Sequence, residues 1–296
     1  MEQKVKKEAN LGEDRIGGLL FKLALPAILA QVINLLYNLV DRMYIGHIAK
    51  VGSVALTGLG VTMPFIMCVS AFAALVSMGG APRASIMMGR GNREEAERIL
   101  GNCTSMLVIV AVIVTAVSQI WGTDILMLFG ASESTLPYAW AYMQIYSIGT
   151  IFVQLALGLN AFINAQGFAK TGMLTVVIGA VCNIILDPIF IFGLHMGVRG
   201  AALATVISRY AEFLLVAVWC HRNNDRHPFI RGAYRSLYIP GRLLKTITVT
   251  GAPLLINEPL WSLGVAVMNQ CYSTCGLDVV PAMNISSTLF NLTSVV

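Results

Sequence analysis

Runs of about twenty predominantly apolar residues recur along this chain, at roughly Leu19–Ile45, Gly52–Ala81, Ile99–Trp121, Leu136–Ile163, Gly172–Leu194, Val198–Cys220, Ile247–Tyr272 and Val279–Val296. A helix rises about 1.5 Å per residue, so each run is long enough to cross a hydrocarbon layer roughly 30 Å thick. Nothing else in the sequence limits the fold so strongly. Composition agrees, because 56% of the residues are hydrophobic and only 12% charged, against a charged share of about a quarter in water-soluble globules. The expected fold is all-α, a polytopic membrane helical bundle with seven complete spans and an eighth that stops at Val296.

Loop charge orients the bundle. Sixteen of the twenty Lys and Arg residues fall in four alternate segments: the N-terminal arm through Lys22, the Arg83–Arg98 loop, the loop holding Lys170, and the Arg222–Lys245 connector. The opposite loops offer only Arg42, Lys50 and Arg199, and the Gly122–Thr135 loop carries acids alone. Basic loops stay cytoplasmic, so the N-terminus is expected inside. The net charge of +5 then reports topology and attraction to anionic lipid, and implies no nucleic-acid partner. The first apolar run follows a charged stretch and is too long for a signal-peptide core, so it reads as an anchor. Among the six cysteines, Cys68, Cys103, Cys182 and Cys220 lie within or at the ends of spans, while Cys271 and Cys275 sit near an outer end. Small apolar filler is the reading that suits them.

The chain restarts near Lys245. Residues 24–31 (ALPAILAQ) and 251–258 (GAPLLINE) resemble each other, and at the same offset Ala55 falls on Ala282. Internal symmetry of this kind is common in secondary transporters, where two helical bundles rock about a site between them. It divides the chain into a cytoplasmic arm (1–18), a complete six-helix lobe (19–220), a cytoplasmic linker (221–245) broken by Pro228, Gly232 and Pro240, and the first one to two helices of a second, pseudo-symmetric lobe (246–296).

Isolated acids inside apolar runs carry the functional signal, because an ionisable side chain in hydrocarbon is costly unless it faces water or a partner. Asp41 closes a polar stripe on the first span formed with Gln31, Asn34, Tyr37 and Asn38; Asp187 and Glu258 sit inside later spans. Counted from the outer ends of their helices, Asp41 lies roughly 8 Å deep, Asp187 roughly 9 Å and Thr205 roughly 10 Å. Asn183 is one turn deeper than Asp187 on the same face, as Tyr37 and Asn38 are to Asp41. Two carboxylates, an amide, a phenol and a hydroxyl at one level can ligate a small cation through oxygen or share a proton. Glu258 stands apart near mid-membrane, with Gln31 as its counterpart in the repeat. Two local alternatives remain: Asp41-Arg42 as a snorkelling interfacial pair, and Asp187-Pro188 as a kink whose carboxylate accepts from the backbone. Arg209 and Glu212, three residues apart, read as an ion pair internal to their helix.

No Walker loop, HExxH or dinucleotide fingerprint occurs, so energy for transport is expected from a gradient. At this point the sequence resembles the multidrug and toxic compound extrusion (MATE) family, and its bacterial multidrug-export branch. The likeness rests on LALPAILAQVINLLYNLVDRMYIGHI in the first span, GRGNREEAERILGN in the Arg83–Arg98 loop, NAQGFAKTGM, NIILDPIFIFGLHMGVRGAALATVISR and GAPLLINEPLW.

The resemblance implies a V-shaped pair of six-helix lobes, working as a monomer in the bacterial plasma membrane, that exports cationic amphiphilic molecules in exchange for sodium or protons, with no cofactor. It also implies an N-lobe ion site of Tyr37, Asp41, Asn183, Asp187 and Thr205, with sodium, if that is the ion, at Asp41, Asn183, Asp187 and Thr205. Gln31, Asn34 and Asn38 are expected to line the cavity, and Glu258 matches a second-lobe coupling or substrate position. Family members carry twelve helices, so the chain is expected to be a fragment. Two rivals stand beside this reading: a lipid-linked sugar flippase of the same superfamily, which favours buried cations over acids, and an intramembrane hydrolase using Asp41 and Asp187 as a dyad.

Overall fold

The computed structural model describes residues 16–49 and 51–222, together with 241, 245–253, 256, 257, 260, 264 and 268. Glu258, the linker residues 223–240, the eighth span and Cys271 and Cys275 lie outside the described residues. The lobe is built from α1 (Ile16–Gly46), α2 (Gly52–Gly89), α3 (Arg93–Leu128), α4 (Leu136–Ile148), α5 (Thr150–Ala165), α6 (Ala169–Pro188) and α7 (Val198–Arg222), with a π-helical turn at Ile189–Gly193. Helices α1, α2, α3, α6 with its π-turn, and α7 are each long and apolar enough to cross a membrane; α4 and α5, bent by 57° to each other, pass the same test only as a pair, which gives a sixth span when the two are counted as one. The protein is therefore an all-helical, multi-pass membrane protein.

Two elements differ from the hydropathy reading. Helix α2 continues past Ala81 to Gly89, because hydropathy marks the part of a helix that sits in lipid and not where its hydrogen bonding stops. It ends at Gly91, whose φ of 76° reverses the chain, and α3 starts on Asn92, whose side chain accepts from Glu95 N at 3.1 Å. Glu94 and Glu95 in the first turn complement the helix dipole there. The expected continuous span Leu136–Ile163 is instead broken at Gly149. Carbonyls near the break take donors from α3: Thr115 Oγ1 donates to Ser147 O at 2.7 Å, and Gln119 Nε2 donates to Gln144 O at 2.9 Å and to Ser147 Oγ at 2.7 Å. A Cβ at Gly149 would run into the Val206 side chain, so this glycine lets α7 close on the bend.

Packing divides by level. One buried cluster joins Ile45, Leu59, Phe65, Val69, Met143, Tyr146 and Ile191; another joins Val76, Ala84, Leu100, Cys103, Leu107 and Phe162. Helix α1 packs chiefly against α6, and that seam carries the acids.

Candidate ion site in the first lobe

Helices α1 and α6 pack along one another and bring Asp41 and Asp187 close enough for their carboxyl groups to influence each other. Asp41 is 7% exposed, Asp187 0%, Asn183 2% and Thr205 8%. One turn before Asp187, Asn183 donates through Nδ2 to Asp187 Oδ1 at 3.4 Å. Thr205 enters from α7 and spends its proton on Ala201 O at 3.0 Å, so its lone pairs remain to face the site. The local backbone explains the convergence. Pro188 follows Asp187 and cannot continue the α-helical ladder, the chain widens into the π-turn, and Gly200 lets α7 close against Phe190 there, where a Cβ would lie 2.7 Å from the Phe190 carbonyl carbon.

Three oxygens in this group have no hydrogen-bond partner among the described residues: Asp41 Oδ1, Asp187 Oδ2 and Asn183 Oδ1. All three are acceptors. Buried polar atoms are almost always satisfied, and an orphaned one costs about 1–3 kcal/mol, more if charged. A cluster made of lone pairs alone is the complement of a small cation or of proton donors. Among the described residues no trio of His, Cys, Asp and Glu forms a transition-metal site, and oxygen-only donors suit a hard ion.

Beside this pair lies a cavity of about 140 Å³ whose polar lining includes Asn34, Tyr37, Asn38, Asp41, Arg42 and Arg209. Asn183 is absent from that lining and faces a smaller adjoining space, which shares Tyr37, Thr205 and Arg209 with the large one. Asp187 lines neither and sits behind Asp41. Asn38 donates to Asn34 O at 2.7 Å.

Gln31 departs from the expectation: it is exposed and lies outside the cavity lining. At 100° per residue it stands about 80° around α1 from Asp41, so it falls at the edge of the stripe and one turn below Asn34. The snorkelling alternative does not describe Asp41, because Arg42 is exposed and donates to Met63 Sδ at 3.5 Å while Asp41 points inward.

Among the cavity residues that the sequence reading did not place there, two tyrosines and an arginine matter most. Tyr142 and Tyr146, stacked with centroids 5.9 Å apart, are buried on α4, and Tyr142 reaches Thr205. Their i, i+4 spacing was the available signal. Arg209 does pair with Glu212, Nη1 to Oε2 at 2.7 Å, yet it also donates through Nη2 to the Tyr37 hydroxyl and lies 5.6 Å from that ring's centroid. The ion pair is thus a bridge between α7 and α1.

The MatE family model matches residues 26–189, over half of the chain, a stretch that includes Asp41, Asn183 and Asp187. The chain belongs to the MatE family. Among curated relatives of this MatE protein, the probable multidrug resistance protein YoeA of Bacillus subtilis is 27% identical over 82% of the chain and 53% of its own length. The multidrug export protein MepA of Staphylococcus haemolyticus is 26% identical over 90% of the chain and 58% of its own length. The chain thus spans a little over half the length of these relatives. A solved structure of MATE in complex with MaD3S superposes with a TM-score of 0.84 over 94% of this chain and 62% of that one, at 24% identity, which speaks for the fold.

Proposed function

We propose that this MatE protein is the first lobe and the start of the second of a secondary multidrug exporter of the bacterial plasma membrane, N-terminus inside, which expels organic cations in antiport with sodium or protons by alternating access. The observation that carries the reading is the orphaned acceptor group, Asp41 Oδ1, Asp187 Oδ2 and Asn183 Oδ1, buried in a membrane-spanning seam. Asp41, Asn183, Asp187 and Thr205 hold the coupling ion. Tyr37 completes that group, and Asn34 and Asn38 form the polar wall between it and the large cavity. Names of the relatives, multidrug resistance and multidrug export, support the substrate class.

Charge argues against the flippase reading. Arg209 is matched by Glu212 and Asp41 is faced by Arg42 at the cavity wall, which leaves the fully buried Asp187 as the uncompensated charge of the seam, an acid suited to cationic cargo. The hydrolase reading fares worse, because a dyad needs both carboxyls at the scissile bond, and Asp187 is fully buried and lines neither of the two cavities beside Asp41. The test uses the complete gene product in proteoliposomes: ethidium efflux is expected under an imposed sodium or proton gradient, with the gradient that works naming the ion. Absence of efflux under both gradients contradicts the proposal.

A further inference from the structure

Tyr37 is asked to serve two cations. Its phenol oxygen stands one turn below Asp41 on the polar face of α1, and it accepts a charge-assisted hydrogen bond from Arg209 Nη2. The guanidinium also rests over the ring, 5.6 Å from its centroid, and is anchored on the far side by Glu212 Oε2 at 2.7 Å. Arg209 and Tyr37 line both the large cavity and the small space shared with Asn183. The small space has a volume of only about 10 Å³, room for about one water-sized occupant. A second positive charge brought onto the Tyr37 oxygen would meet the guanidinium across that space, and the low polarity of the seam does little to screen the two.

We infer that Arg209 is a tethered internal cation that competes with the coupling ion for Tyr37, holding the phenol toward α7 until the ion enters the Asp41, Asn183 and Asp187 group. Arg209 is a positioning residue: it touches neither Asp41 nor Asp187 through any hydrogen bond among the described residues, and acts through Tyr37. Competition of this kind lowers ion affinity and speeds ion release, which is what an antiporter that must discharge its ion in every cycle needs. The inference rests on the exporter reading given above.

The test measures ethidium efflux by the complete protein in proteoliposomes as a function of external sodium and, separately, of external proton concentration. Arg209→Gln is expected to lower the half-activating concentration of whichever ion drives the wild type by about tenfold, the worth of one charge-assisted hydrogen bond, while reducing the maximal rate. Because Arg209→Gln leaves Glu212 buried without its partner, Arg209→Gln/Glu212→Gln serves as the second variant and is expected to show the same shift. In a Tyr37→Phe background the arginine substitution is expected to have no further effect on ion affinity. A half-activating concentration that is unchanged or raised in both arginine variants, or a shift that persists in the Tyr37→Phe background, overturns the inference while leaving ion-driven efflux standing. Wild-type protein that responds to neither gradient removes the exporter reading and this inference with it.

Discussion

Two buried polar clusters in this lobe look alike in composition and differ in bookkeeping. At the α5–α6 hairpin, Asn160 donates to Gly172 O at 3.0 Å and to Thr175 Oγ1 at 2.9 Å, Asn164 donates to Asn160 Oδ1 at 2.8 Å, and Thr175 donates to Gly172 O at 2.8 Å. Neither Asn160 nor Thr175 has a buried side-chain atom left over. In the α1–α6 seam, by contrast, Asp41, Asn183 and Asp187 each leave an oxygen unanswered. The first cluster is a clamp. The second is a group of lone pairs with no donor among the described residues, which the proposed coupling ion would answer.

Substitutions should split the two clusters in opposite directions. The largest effect is expected from Asp187→Asn or Asp41→Asn, each removing one charged ligand worth about 3 kcal/mol, on the order of a hundredfold in ion affinity. Thermal unfolding of these variants is expected at an equal or higher temperature than the wild type, because a buried unpaired carboxylate is exchanged for a neutral amide. Gly172→Ala should do the reverse. Its Cβ would press into the Asn160 and Asn164 side-chain oxygens and cost about 1–3 kcal/mol of stability, read as a lowered unfolding temperature, while the ion dependence of efflux stays as in the wild type.

Asn160→Ala, which deletes two donated hydrogen bonds of the clamp, is expected to cost about 1–2 kcal/mol, again without a change in ion affinity. The smallest effect belongs to Tyr142→Phe at the margin of the seam. Loss of its reach to Thr205 is expected to move the half-activating ion concentration only about two- to threefold, well under 1 kcal/mol. If Asn160→Ala and Asp187→Asn change ion affinity alike, the distinction between clamp and site collapses.

Much of this was legible in the amino-acid sequence, and for physical reasons. Hydropathy found the long apolar helices because apolar length is a property of single segments. Depth counting put Asp41, Asp187 and Thr205 at one level because rise per residue is nearly constant. What depth does not give is azimuth. Gln31 sits on the stripe in sequence yet ends exposed, whereas Tyr142 and Tyr146 join the cavity only because α4 is turned toward α1 and α7. The break at Gly149 lies within an unbroken apolar run, and its causes, Val206, Thr115 and Gln119, are supplied by other helices. Arg209 was hidden by a local explanation that was true as far as it went. Its pairing with Glu212 accounted for the charge, and its second partner, Tyr37, lies 172 residues away in the chain.

The orphaned oxygens make one measurement decisive. Ethidium efflux by the complete protein in proteoliposomes, titrated against the driving ion, is to be compared for the wild type, Asp187→Asn and Asn160→Ala at matched amounts of folded transporter. The account predicts that Asp187→Asn moves the titration to an ion concentration on the order of a hundredfold higher while Asn160→Ala reproduces the wild-type curve. Efflux by Asp187→Asn that keeps the wild-type ion dependence would show that the α1–α6 seam does not hold the coupling ion.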